Sequence, residues 1–172
     1  MAGSLIKIDE EIVSSAVASV TLTGISSTYD VYMVRLNKVE VVTNERDIKI
    51  RFTESGTPNT TANYDSAAKN LNAGSAFDNS SETNQTSLDL SLNIGDQTGE
   101  QFNSILYIFN ANNSSEYTFL TMENTMFAHT AQLRGKQGGG VFTSSSQVNG
   151  IQFIGNSTNI DNGTFTLYGL KK

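Results

Sequence analysis

The sequence predicts an all-β fold, an antiparallel β-sandwich of jelly-roll type with about eight or nine strands. Two observations carry the expectation: apolar residues recur with a period of two, and the runs that show it are separated by polar, turn-forming segments. Composition agrees, because only 16% of the 172 residues are charged and Asn, Ser, Thr and Gly fill the difference.

The clearest alternation is Ile48, Ile50 and Phe52 against Lys49, Arg51 and Thr53. Val20 and Leu22 alternate with Ser19, Thr21 and Thr23, and Leu88, Leu90, Leu92 and Ile94 with Asp89, Ser91 and Asn93. Such a pattern buries one face of a strand and wets the other. Further strands are expected over 29–37, 104–110, 116–122, 150–154 and 164–168, with a short edge strand at 6–8. Ile12, Val13, Ala16, Val17 and Val20 also fit helical spacing, with Asp9-Glu10-Glu11 at its N-terminal end. The β-branched content and the Thr-rich continuation favour a strand from Ala16.

Turn chemistry marks the connections. Asn44-Glu45-Arg46-Asp47 reads as a hairpin loop, Asp161-Asn162-Gly163 as a tight turn before the last strand, and Gly138-Gly139-Gly140 as a flexible or closely packed loop. A single domain over 1–172 is expected, with a short N-terminal arm (about 1–11) and a long polar excursion (about 54–87). The excursion holds Pro58, the only proline, and a helical turn is expected near 66–71. Excursions of this length are often functional, so it is expected to be a contact loop or, equally, a merely solvated connection.

Charge and motifs narrow the chemistry. The chain has no cysteine, so it holds no disulfide, thiolate nucleophile or Cys-based zinc site. Its net charge is −6 and it carries no basic cluster beyond Lys171-Lys172, which argues against direct nucleic-acid binding. The apolar run 105–109 is far short of the ~20 residues of a spanning helix, and the N-terminus has no basic-then-apolar leader pattern. His129, the only histidine, has no Gly-x-Ser-x-Gly elbow to serve, so no catalytic residue is expected. The acids are scattered and read as solvated. Asp161-Asn162-Gly163 and Asp78-Asn79 could offer ligands to a structural calcium ion but read more simply as turns, so no cofactor or metal site is assigned. Triplets such as Asn59-Thr60-Thr61 are expected by chance in a chain this rich in Asn, Ser and Thr. Of nine Phe and six Tyr, Tyr64 and Phe77 lie in the polar excursion and are the candidate surface-contact aromatics.

Several segments resemble small structural proteins of tailed bacteriophages, especially marine ones. They are 15–25, 28–34, 115–119, 149–153, Leu133-Arg134-Gly135-Lys136-Gln137-Gly138-Gly139-Gly140, and the closing Asn159-Ile160-Asp161-Asn162-Gly163-Thr164-Phe165-Thr166-Leu167-Tyr168-Gly169-Leu170-Lys171. The resemblance implies a non-enzymatic virion component assembled in the host cytoplasm. It would be first a capsid decoration (cement) protein, a homotrimer bound to the major capsid protein. The alternative is a tail or fibre component, a receptor- or carbohydrate-binding jelly roll facing a host-surface glycan. It carries over no site residues, and 54–87 lies outside it.

Overall fold

The computed structural model describes residues 4–171, all in strands and connections. Thirteen strands follow in order: β1 (Leu5–Val13), β2 (Ser19–Thr23), β3 (Val31–Val41), β4 (Ile48–Glu54), β5 (Thr57–Pro58), β6 (Tyr64–Asn72), β7 (Asp78–Gln85), β8 (Leu88–Asp89), β9 (Phe102–Phe109), β10 (Thr118–Ala128), β11 (Gln132–Phe142), β12 (Val148–Gly155) and β13 (Ile160–Leu170). They form an eight-stranded sheet, β1-β13-β3-β9-β10-β11-β6-β7, and a five-stranded sheet, β2-β12-β4-β5 with β8 beside β4. Every pairing is antiparallel. The antiparallel β-sandwich is thus as the periodicity predicts, with more strands than expected.

Alternation explains how the layers meet. Along β10 every second residue is buried, from Thr118 through Leu120, Met122 and Met126 to Ala128. Ile48, Ile50 and Phe52 of β4 and Ile151 and Phe153 of β12 face them from the smaller sheet with no exposed surface. The inner aromatics cluster: Tyr64 lies 4.8 Å from Phe142 and Phe142 5.8 Å from Phe52, centroid to centroid. Phe153 lies 5.2 Å from Phe165, joining β12 to β13 across the core. Each such ring removes 150–250 Å² from water, by order of magnitude, which makes these contacts dominant.

Several expectations are corrected. Residues 5–11 are no free arm: β1 runs along the sheet edge, Leu5 opposite Leu170 and Val13 opposite Gly163. No helix forms over 12–20, and the strand begins at Ser19 rather than Ala16. The 54–87 excursion is mostly sheet. Residues 66–71, expected as a helical turn, lie within β6 between β11 and β7. The polar side chains of this stretch suit an outer column whose far edge meets water.

Gly138-Gly139-Gly140 is mid-strand in β11, not a loop. A Cβ at Gly138 would lie 2.3 Å from the Ala67 carbonyl oxygen, and one at Gly140 2.8 Å from the Leu88 side chain. These glycines serve close approach to β6 and β8. Asn44-Glu45-Arg46-Asp47 joins strands of different sheets and so is no hairpin; Glu45 and Arg46 donate to the Ile94 carbonyl instead. Asp161-Asn162-Gly163 lies inside β13, where the register against β3 shifts and Gly163 takes φ +144°. The turn chemistry there makes a bulge.

Candidate functional site

Tyr64 is not a surface aromatic. It has no exposed surface, and its hydroxyl accepts from Phe52 N (3.0 Å) and donates to Asn59 O (3.0 Å). Burial pushes its phenol up to about 12. Phe77 is 58% exposed. His129 is largely buried, with Nδ1 3.4 Å from Asn93 O and Nε2 3.4 Å from Glu45 Oε1. These tie a loop to the strand end and bring no nucleophile to the ring. Among the described residues no three His, Asp or Glu side chains gather where a metal ion could sit, and Asn79 Oδ1 accepts from Lys69 Nζ at 3.1 Å.

The candidate site lies elsewhere, on the outer face of the eight-stranded sheet. A half-buried sheet should be polar there. Instead Tyr107, Ile105, Phe119, Phe127 and Leu133 are exposed by 37–55%. Cross-strand pairing arranges the face in rows. Phe109, Phe119 and Val141 are successive partners across β9, β10 and β11. One row further, Tyr168, Met33, Tyr107 and Thr121 are matched across β13, β3, β9 and β10. Next comes a charged row: Arg35, Ile105, Glu123, Gln137 and Lys69, on β3, β9, β10, β11 and β6. Beyond it, Phe127 pairs with Leu133, and Leu133 lines a hollow together with Phe77 and Leu71.

Three shallow hollows mark this face. One of about 370 Å³ lies between Arg35, Ile105 and Glu123. A second, about 540 Å³, is floored by Gly139, Ala67 and Thr121 and bounded by Phe119. The third, about 270 Å³, sits among Leu71, Phe77, Leu133 and Gly135. Gly135 and Gly139 alternate onto the outer face of β11 and leave it bare between large neighbours.

Polar partners fix the charges. Gln137 Nε2 donates to Glu123 Oε1 at 3.1 Å. At the β1 edge, Glu10 accepts from Lys7 Nζ and from Thr166 Oγ1, each at 3.1 Å, and these two bonds, Lys7 first, hold its carboxyl below the usual carboxylate range.

The inner face of the same sheet holds a second polar row: Ser104, Asn124, Lys136 and Asn70 are cross-strand partners and all buried. Here the sheet faces the segment 88–94 as well as strands. That segment brings backbone carbonyls into the interior, and they need donors. Lys136 Nζ donates to Asp89 O (2.9 Å), Asn124 Nδ2 to Leu90 O (2.6 Å), and Ser104 Oγ to Asn124 Oδ1. Lys49 Nζ lies 2.9 Å from Asp89 Oδ1, at ion-pair distance though off the line of a hydrogen bond. Burial lowers the Lys136 ammonium's pKa, opposed by the Asp89 carboxylate, and burial raises that of Asp47, opposed by the Asn93 N–H. With Lys136 only 2% exposed, this network anchors a crossing segment; it is not a site open to a ligand.

Sequence reasoning missed the outer face, although a signal was there. Ile105-Leu106-Tyr107-Ile108-Phe109 is apolar at every position, so that strand is apolar on both faces.

No family model matches the chain, and no curated protein matches it. Among solved structures, scytalido-glutamic peptidase with a transition-state analogue inhibitor is similar at a TM-score of 0.31 and 12% identity, over 94% of this chain and 82% of that one. So distant a likeness carries no argument about fold or activity. The virion role implied by the resemblance, whether capsid decoration or a tail or fibre jelly roll, is corrected here: nothing among these findings supports it, and it is not carried forward.

Proposed function

We propose that this chain is a non-catalytic interaction module whose working surface is the outer face of the eight-stranded sheet, and that its partner is a folded protein surface. One observation carries the reading: large apolar side chains stand exposed in register on both sides of a charged row. Monomeric proteins seldom leave such a patch uncovered. The hollows are wide and shallow, which suits a broad surface better than a small molecule. Arg35, Glu123 and Lys69 are spread two strands apart, about 10 Å, rather than converging on one point as acid and base groups must.

The test has two arms. Hydroxyl-radical footprinting of Tyr107 and Phe119 compares the purified chain, diluted until it sediments as a monomer, with the chain in an extract of the cells that produce it. Protection of both rings in the extract is expected, and equal labelling would overturn the reading. Incubation with protein and polysaccharide substrates is expected to give no cleavage; turnover abolished by Glu123→Gln would establish an enzyme instead.

A further inference from the structure

We infer that the partner surface is a second copy of this chain, stacked face to face about a two-fold axis running along β9. The inference rests on the interaction-module reading and adds the identity of the partner.

The argument is the order of side chains along the rows. Across the charged row, counting outward from Ile105 on β9, Arg35 lies one strand to one side and Glu123 one strand to the other. Two strands out stand Gln137 and Thr166, the latter buried with its hydroxyl bonded to Glu10. Three strands out stand Glu10 and Lys69. Opposite positions thus hold opposite charge or matched polarity. A two-fold axis along β9 exchanges the two sides, so Arg35 meets the second copy's Glu123 and Glu10 meets its Lys69. An axis across the strands would set Glu123 on Glu123.

The apolar rows obey the same exchange through their central strands, while at the outermost strands Leu5 falls opposite Asp65. Tyr107 meets Tyr107, Val31 meets Phe119, and Leu170 meets Val141. Tyr168 is set over the bare Gly139, filling a hollow. Ile12, 68% exposed at the sheet edge, falls opposite Leu71. Sheets packed face to face keep their strands within about 30°, so such a pairing extends the sandwich by one more layer.

Charge and area are sufficient. Glu10, Arg35, Glu123 and Lys69 sum to zero on a chain whose net charge is −6, so the acidic excess lies off this row and repels least here. The seven strands from β1 to β6 overlap about this axis; about 4.8 Å apart and about nine residues deep, they span roughly 1,000 Å². A stable interface takes about 800 Å² from each partner.

Sedimentation equilibrium of the purified chain tests this with exposed charge variants that leave the core untouched. Wild type is expected to be a dimer. Arg35→Glu and Glu123→Arg each weaken association roughly tenfold or more, and the double variant Arg35→Glu/Glu123→Arg restores it. As the chain has no cysteine, Ile105→Cys gives a single thiol near the axis. A short bis-maleimide should join two Ile105→Cys copies and leave Gln152→Cys, on the smaller sheet, unjoined. A monomer at every concentration whose Tyr107 and Phe119 are still protected in the extract would overturn self-pairing and leave the module reading standing. A trimer, or a double variant as weak as the single ones, would overturn the axis along β9.

Discussion

Tyr64 sits in a polar stretch of sequence and is nonetheless fully buried, because its ring fills the gap between Phe52 and Phe142. Its hydroxyl answers two backbone groups that the aromatic cluster would otherwise strand, Phe52 N and Asn59 O. Tyr64→Phe keeps the ring and removes that service. A loss of about 1–3 kcal/mol is expected from urea unfolding, since the cost falls on buried groups left unpaired. Asp47 allows a sign test. Burial raises its pKa above the ordinary 3.8, so the folded state holds the proton more tightly than the unfolded one. Its penalty is absent below the unfolded value and grows as pH rises through the folded value. Asp47→Asn retains an acceptor for Asn93 N–H and cannot ionise. Relative to wild type the variant should gain stability between about pH 4 and neutrality, measured as the difference in urea midpoint; a difference flat with pH would rule this out.

At the scale of the element, β11 shows what composition conceals. A run of three glycines commonly marks a loop, and only the packing partners reveal a strand: β6 lies too near for a Cβ at Gly138, and Leu88 occupies the space at Gly140. Gly140→Val should therefore destabilise by about 1–3 kcal/mol through overcrowding, read from the thermal transition. β10 gives the converse case. Its alternation fixes which side is buried, but says nothing of what meets the other side, so Phe119 and Phe127 look like ordinary strand residues in isolation. Strands β2 and β4 were legible because a sheet buried on one face must alternate, and β9 because its run 105–109 is apolar. The 54–87 region was not, since β6 and β7 are outer columns whose polar side chains mimic a loop; nor was the site, which depends on neighbours far apart in sequence. In the monomer, at dilution, Phe119→Ser and Phe127→Ser should change stability by less than about 1 kcal/mol each, because both rings are already wet there. Loss of several kcal/mol would mean that these rings serve the fold rather than contact.

At the scale of the whole molecule, the first and last strands close the structure together. β1 hydrogen-bonds to β13, and Asp9 Oδ2 accepts from Thr23 N at 2.7 Å and from Thr23 Oγ1 at 3.1 Å, tying the edges of the two sheets. Yet β1 brings little to the core: Val13 is buried and Ile8 partly so, whereas Leu5, Ile6 and Ile12 are exposed. Removing residues 1–13 should therefore lower stability only by about 2–4 kcal/mol, the value of one buried and one half-buried aliphatic side chain plus the Asp9 contacts. The remaining chain keeps both inner faces and should still unfold in one transition. Its new edge is a different matter. β13 would present unpaired backbone groups from Gly163 to Leu170, among them Thr164, Phe165, Thr166 and Leu167, with no charged side chain to blunt them. The shortened chain should thus fold at a reduced urea midpoint and scatter light increasingly with concentration. If it remained clear and kept the wild-type midpoint, β1 would not be guarding that edge.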